Sequence, residues 1–288
     1  MLQDASVRDI ERELNRLRAE SAEAGTAAQR TSVMTHIAWV PERWLELATE
    51  VLQELGERLP SRAIVLVPKP DEERSALDAE VDLRCFARGG ASGAVCYEVV
   101  VISLAGERAH HPASVVEPLL LPDLPVFLRW RGPLPFDEPE LDQLTRIADR
   151  LIVDSREWTS AEEDFGRLTE LFDRLAVSDI AWARTQAWRE ALATMWPEIR
   201  EVEMLRVAGP EPEAVLLVRW LSARLGRSVE LEHEPAGEIE LVEADGQSVD
   251  PRGSDGGTSA DLLSEQLELF ERDRVYEEAV RSFSQVPS

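Results

Sequence analysis

Apolar positions recur along this chain with two different spacings, and the switches between them outline its elements. Val7, Ile10, Leu14 and Leu17 stand three, four and three apart, which predicts a helix over residues 5–20 with a single apolar seam. A helix this short is marginal alone in water, so the seam needs a packing partner, inside the chain or outside it. Pro41 opens a second helix that carries Trp44, Ala48, Val51, Leu52, Leu55 and Leu59 on one face, and Leu59-Pro60 closes it. AIVLV (63–67) is a continuous run, rich in β-branched residues, of the kind buried on both faces of a sheet, and Pro68-Lys69-Pro70 ends it.

VDLRCFAR (81–88) and VCYEVVVISL (95–104) flank the glycine-rich RGGASG and predict a hairpin. Pairing Val81 with Val101, Leu83 with Val99 and Cys85 with Tyr97 keeps one face apolar and sets Arg84 against Glu98. A shift by one residue would oppose Leu83 and Glu98, which is the worse match. The better register sends Cys85 and Cys96 to opposite faces and predicts two reduced thiols.

From residue 112 helix and strand patterns alternate. HPASVVEPLLL is a short helix, PVFLRW (125–130) a strand, PELDQLTRIADR (139–150) a helix and LIVD (151–154) a buried strand. SAEEDFGRLTELFDRL (160–175) is a helix with a Ser cap and acidic residues in its first turn. SDIAWARTQAWREALATMW (178–196) follows as a further helix. REVEMLRVAG (200–209), EPEAVLLVRWLSARLG (211–226), SVELEHE and EIELVEA then make a β-α-β-β unit. Residues 244–260 have linker composition, and a last helix over about 260–283 repeats Leu262, Leu269, Tyr276 and Phe283 every seven residues. The expected fold class is α/β, an open mixed, partly parallel sheet with helices on both faces, followed by a smaller α+β domain and terminal amphipathic helices. The divisions fall at 1–29 (helical extension), 30–176 (α/β domain), 177–243 (Trp-rich helix and small domain), 244–260 (linker) and 261–288 (C-terminal helix).

Charge changes the picture more than composition does. Fifty-six acidic against thirty-one basic residues give a net charge of −25, a field that repels phosphate backbones and anionic membranes. Nucleic acid and membrane are therefore not expected partners, whereas a protein with a basic patch is compatible. No run of apolar residues is long enough to span a bilayer, the N-terminus lacks a signal-peptide core, and the chain reads as cytosolic. The apolar terminal helices leave self-association open.

A search for reactive groups returns little. No phosphate-loop, HExxH, CxxC or GxSxG pattern occurs, and RGGASG lies in a hairpin rather than between strand and helix. His110-His111 lacks spaced partner ligands, so no metal site is expected, and four scattered histidines offer no general base. Catalytic residues and cofactors are accordingly expected to be absent. One candidate remains: ligands of open α/β sheets bind beyond the carboxyl ends of the strands, where Lys69, Arg129, Arg131, Ser155 and Arg156 fall. They either neutralise neighbouring acids or hold a phosphate or carboxylate.

Two longer stretches carry a resemblance. VVEPLLLPDLPVFLRWRGPLPF (115–136) and SDIAWARTQAWREALATMW (178–196) resemble hallmark segments of the glucose-6-phosphate dehydrogenase assembly protein family, OpcA, in order and separation. RLIVDS (150–155) and PSRAIVLV (60–67) are similar too, so the resemblance covers roughly residues 30–243. It implies a non-enzymatic cytoplasmic activator of glucose-6-phosphate dehydrogenase in the oxidative pentose phosphate pathway, one that favours the active oligomer. In cyanobacterial members the system is linked to thioredoxin through cysteines, and neither Cys85 nor Cys96 matches such a position.

On one helix, Trp182, Arg189 and Trp196 would form one line, and Trp188, Met195 and Arg184 another about a third of a turn away. Both lines need cover, from the core or from a partner. An arginine between two tryptophans, as Arg189 would be, can stack on their faces. Arg184, Trp188 and Arg189, with Trp130 and Arg131, are the candidate contacts to the dehydrogenase, because Trp and Arg dominate interface hot spots. The rival reading is a sugar-phosphate or nucleotide-binding enzyme or sensor that uses the basic strand-end residues.

Overall fold

The computed structural model describes residues 1–23, 28–29, 32–87, 94–251 and 259–282, and the chain divides into two units at Ile152–Val153. The first unit runs α1 (Val7–Glu23), β1 (Ala28–Gln29), β2 (Thr35–Trp39), α2 (Leu45–Arg58), β3 (Arg62–Lys69), β4 (Ala76–Ala87) and β5 (Ala94–Ala105). It continues with α3 (Pro112–Val116), β6 (Val126–Trp130), α4 (Pro139–Ile147) and β7 (Arg150–Val153). The strand order is β5-β3-β2-β6-β7, all parallel, with β4 antiparallel on β5 and short β1 parallel to its start. The chain thus builds outward from β2 through β3 to β5, then returns to the other side of β2 with β6 and β7. Such a crossover leaves a crevice beyond the carboxyl ends of the two strands at the reversal, β2 and β6.

Burial follows the predicted pattern. Ile64, Val65 and Leu66 of β3 are fully buried, as a strand covered on both faces requires. Helix α1 starts in a capping box: Ser6 Oγ accepts from Asp9 N–H at 3.3 Å and Asp9 Oδ2 accepts from Ser6 N–H at 2.9 Å. Its seam residues Ile10 and Leu14 are fully buried, with the helix packed against β4, so the partner of the seam lies within the chain. Strand β2, THIAW, was not expected, because five residues beginning Thr-His show neither alternation nor a β-branched run.

The hairpin forms, in the register one residue away from the expected one. Val81 faces Val100, Leu83 faces Glu98, Arg84 faces Tyr97 and Cys85 faces Cys96. The reason lies outside the hairpin. Glu98 is nearly buried, and its charge is met by Arg62, its register neighbour on β3, at 2.8 Å and by Arg18 of α1 at 2.6 Å. A buried carboxylate with two guanidinium partners tolerates Leu83 opposite it. The two cysteines, expected as separate thiols, consequently face one another and are joined in a disulfide across a Cα separation of 4.1 Å.

The second unit contains α5 (Ala161–Leu168), β8 (Ala176–Asp179), α6 (Ile180–Arg184), α7 (Gln186–Ala193), β9 (Met204–Gly209) and α8 (Glu211–Leu225). Then come β10 (Glu230–Pro235), β11 (Leu241–Ala244), β12 (Gln247–Ser248), α9 (Ser259–Glu268) and α10 (Arg274–Arg281). Its small sheet has the order β10-β9-β11-β12, with β10 parallel and β11 antiparallel to β9. Leu205 and Val207 of β9, Leu217 and Leu221 of α8 and Val242 of β11 form its core. Gly226 ends α8 at φ +66°, and Arg227 N–H donates to Ser222 O at 3.2 Å, a Schellman closure that needs glycine.

Three local expectations are corrected. Ser160 stands at the start of α5, but its side chain makes no capping bond. The helix expected over 178–196 opens as strand β8 and then breaks at Thr185, whose hydroxyl donates back to Trp182 O at 2.8 Å. The final helix is two, since Asp273 caps α10 by accepting from Val275 and Tyr276 N–H, both at 3.0 Å. Of its heptad line Tyr276 is buried and Leu269 exposed, while Phe283 lies outside the described residues. Within the stretch of linker composition, β12 and buried Val249 join the small sheet, and 252–258 lie outside the described residues.

Candidate functional site

At the crossover of the first unit, the last residues of β2 and β6 are both tryptophan. Trp39 and Trp130 face each other in register and stack with ring centroids 4.8 Å apart and planes 13° from parallel. Trp130 Nε1–H donates to Pro133 O at 3.2 Å. Beyond them opens a cleft of about 370 Å³, lined also by Arg43, Arg131, His110 and Glu140. The Arg43 guanidinium lies 4.2 Å and that of Arg131 5.2 Å from the ring centre of Trp44. Gly132, at φ +95°, allows this approach, since a Cβ there would meet the Trp44 ring at 2.8 Å. Glu140, in the first turn of α4, is nearly buried and hydrogen-bonded through Oε1 to His110 Nδ1.

In the second unit the tryptophan segment is largely internal. Arg189 stacks on Trp182 at 3.5 Å and donates to Thr185 Oγ1 at 3.0 Å, while Trp182 Nε1–H donates to Asp273 at 2.7 Å. Burial pulls the Arg189 guanidinium down to about 10, against the attraction of Asp273 and Glu190. Trp188 and Met195 pack partly buried on the small-sheet core. Trp196 is the exception, 63% exposed with Arg200 5.5 Å from its ring.

Beside that segment lies a network of carboxylates and arginines. Arg184 holds Asp154 bidentately at 2.8 Å, and Arg156 holds Glu238 bidentately at 2.8 Å while also contacting Glu213. Asp179 is fully buried, accepting from Ser155 N–H at 3.0 Å, Ala181 N–H at 2.9 Å and Tyr276 O–H at 3.4 Å. Burial, with the neighbouring Asp154 charge, pushes its carboxyl up from 3.8 to about 6. Burial likewise raises Glu213 to about 7, more than Arg156 pulls it down.

Of the candidate anion residues, Lys69, Arg129 and Arg156 are occupied. Lys69 pairs with Glu42 at 3.0 Å, and buried Arg129 donates to the carbonyls of Trp130 and Ile152. Ser155 is fully buried behind Asp179, and Arg156 is taken by two glutamates. Of the candidate partner contacts, Trp130 is 2% exposed and Arg184 is bound to Asp154, whereas Arg131, Trp188 and Arg189 are half-buried. His36 is buried in β2 and held down to about 4, mainly by that burial and further by Arg129, so it stays neutral. Among the described residues no cluster of His, Cys, Asp or Glu could hold a metal ion, and no helix is long and apolar enough to cross a membrane. Sequence reasoning did not single out Trp39 and Arg43, whose placement depends on the undetected strand β2, or Glu140, one acid among many in the predicted helix over 139–150.

Residues 52–170 match the family described as glucose-6-phosphate dehydrogenase subunit N-terminal domain, and residues 175–259 match the corresponding C-terminal domain. The chain belongs to the OpcA family. It is 26% identical over 186 residues to an OxPP cycle protein OpcA of Nostoc punctiforme, covering 61% of this chain and 40% of that protein. An OpcA protein of Synechococcus elongatus is 28% identical over 206 residues, 67% of this chain and 46% of that one. One from Synechocystis is 24% identical over 177 residues, 58% and 37% respectively. The chain thus spans less than half the length of these OpcA relatives. The stretches 115–136 and 178–196 fall one in each matched OpcA domain.

Proposed function

We propose that the chain is a cytoplasmic, non-catalytic partner of glucose-6-phosphate dehydrogenase that raises the dehydrogenase's activity by binding its active oligomer more tightly than its inactive form. The two successive matches to domains described as a subunit of that enzyme carry the reading. A partner shifts an oligomer equilibrium only through differential affinity, and moving it from 1:99 to 99:1 takes about 5.5 kcal/mol. The contact residues proposed on the second unit are Arg184, Trp188 and Arg189, together with exposed Trp196. On the first unit they are Arg131, backed by Trp130. A net charge of −25 suits an enzyme surface bearing basic residues.

The test is binding of the purified dehydrogenase to wild type, Trp196→Ser and Trp188→Ala/Arg189→Ala chains, each checked for folding. Trp196 is exposed, so its replacement leaves stability unchanged and weakens binding about tenfold, a typical hot-spot loss. A folded double variant that binds like wild type would refute the assignment. Against the rival anion-binding reading, Lys69, Arg129 and Arg156 are already paired, and thermal stabilisation of the isolated chain by glucose 6-phosphate or NADP would revive it.

A further inference from the structure

The cleft at the β2/β6 reversal holds an unmet hydrogen-bond acceptor. Glu140 is 7% exposed and lines the cleft. Its Oε1 is bonded to His110, whereas its Oε2 is buried with no hydrogen-bond partner. A buried carboxylate oxygen left without a donor is costly, and native structures seldom keep one without a reason. The site is also where an open parallel sheet presents its ligands, and its volume of about 370 Å³ suits a small molecule.

The chemistry of the lining selects the ligand class. A carboxylate oxygen that no donor reaches is an acceptor still to be met, so the ligand must donate there. The stacked Trp39 and Trp130 rings, 7% and 2% exposed, form an apolar wall that strengthens an ion pair beside it. Arg43 and Arg131 stand in the same lining, and Arg43 is exposed with its guanidinium stacked on Trp44. A dinucleotide fits poorly. The turn after β2, Val40-Pro41-Glu42-Arg43, has no glycine, loses one N–H to Pro41 and carries an acid where a phosphate would sit.

We infer that this cleft binds a small amino-acid-like zwitterion, whose primary ammonium or guanidinium group donates to Glu140 Oε2 and whose carboxylate faces Arg43 and Arg131. The inference shares Trp130 and Arg131 with the proposed dehydrogenase contact but does not rest on that reading.

The test titrates the full chain with L-arginine and with agmatine, which lacks the carboxylate, following indole fluorescence and the His110 ring resonances. Both probes give saturable changes, and Glu140→Gln weakens both at least tenfold. Arg43→Met, at an exposed side chain, weakens L-arginine and leaves agmatine unchanged. Absence of saturation with both probes, undiminished binding to a folded Glu140→Gln protein, or displacement of the probes by inorganic phosphate would overturn the inference. Equal affinity of the Arg43→Met protein for L-arginine would overturn the zwitterion assignment. If Glu140→Gln does not fold, the wild-type His110 ring decides: unmoved resonances at probe saturation overturn the proposal, and shifted ones support it.

Discussion

Replacing Asp179 by asparagine should change the pH dependence of stability in a defined direction. Asp179 is fully buried, and its carboxyl is raised from 3.8 to about 6, chiefly by burial and secondly by the charge of Asp154. The native state therefore holds a proton there that the unfolded chain has already released, across the window from pH 6 down to 4. Native binds more protons than unfolded in that window, so stability falls as pH rises through it and stays low above pH 6. About two units at about 1.4 kcal/mol each gives about 3 kcal/mol, the cost of keeping Asp179 charged at neutral pH. The asparagine side chain would carry no charge at any pH and would keep an oxygen for the N–H groups of Ser155 and Ala181. Denaturant unfolding at pH 4, 5, 6 and 7 of both proteins measures the difference. The stability of Asp179→Asn relative to wild type should improve by about 3 kcal/mol between pH 4 and pH 7. Glu213 titrates in both proteins and cancels to first order. A difference that stays flat over that range, or grows toward acid, would refute the reasoning.

Other outcomes follow from the same structure. Glu98→Gln leaves Arg18 without its anion and the buried Arg62 with Glu11 alone, and should cost about 3 kcal/mol in denaturant unfolding; a loss below about 1 kcal/mol would contradict the triad. Replacing Cys85 and Cys96 together by serine opens a cross-link between residues eleven apart and should lower stability by about 3 kcal/mol on chain-entropy grounds. Mass spectrometry of the non-reduced chain should show the bond, and two free thiols in the folded protein would contradict it. Arg184→Met strips the bidentate partner from Asp154 and should lower stability by about 3 kcal/mol in denaturant unfolding at pH 7; a loss below about 1 kcal/mol would contradict the pairing.

What could be read from the sequence was local. The AIVLV strand, the seam of α1 and the Gly226 closure of α8 declare themselves because each depends on its own residues. The hairpin register did not, because it turns on the fate of one charge. Glu98 finds Arg62 on a neighbouring strand and Arg18 on a helix, partners that no inspection of the hairpin alone reveals. The helix over 178–196 failed at Thr185 and Asp179, polar residues whose side chains bond to the backbone instead of continuing the helical pattern. The predicted stacking of Arg189 on Trp182 survives the break, since the two segments keep those groups together at 3.5 Å. The carboxylate network was hidden by number: with fifty-six acids in the chain, Asp154, Asp179, Glu213 and Glu238 carry no mark in the sequence. Likewise Trp39 meets Trp130 only once β2 is placed beside β6.

The central claim is that the chain works through another catalyst. It is tested most directly by assaying purified glucose-6-phosphate dehydrogenase from the same organism with and without this protein, while following the enzyme's oligomeric state by light scattering. The account predicts a rise in dehydrogenase activity that saturates with added chain and accompanies a shift toward the larger, active assembly, with no turnover by the chain alone. Unchanged activity and assembly at saturating chain, or turnover of glucose 6-phosphate by the chain alone, would contradict it.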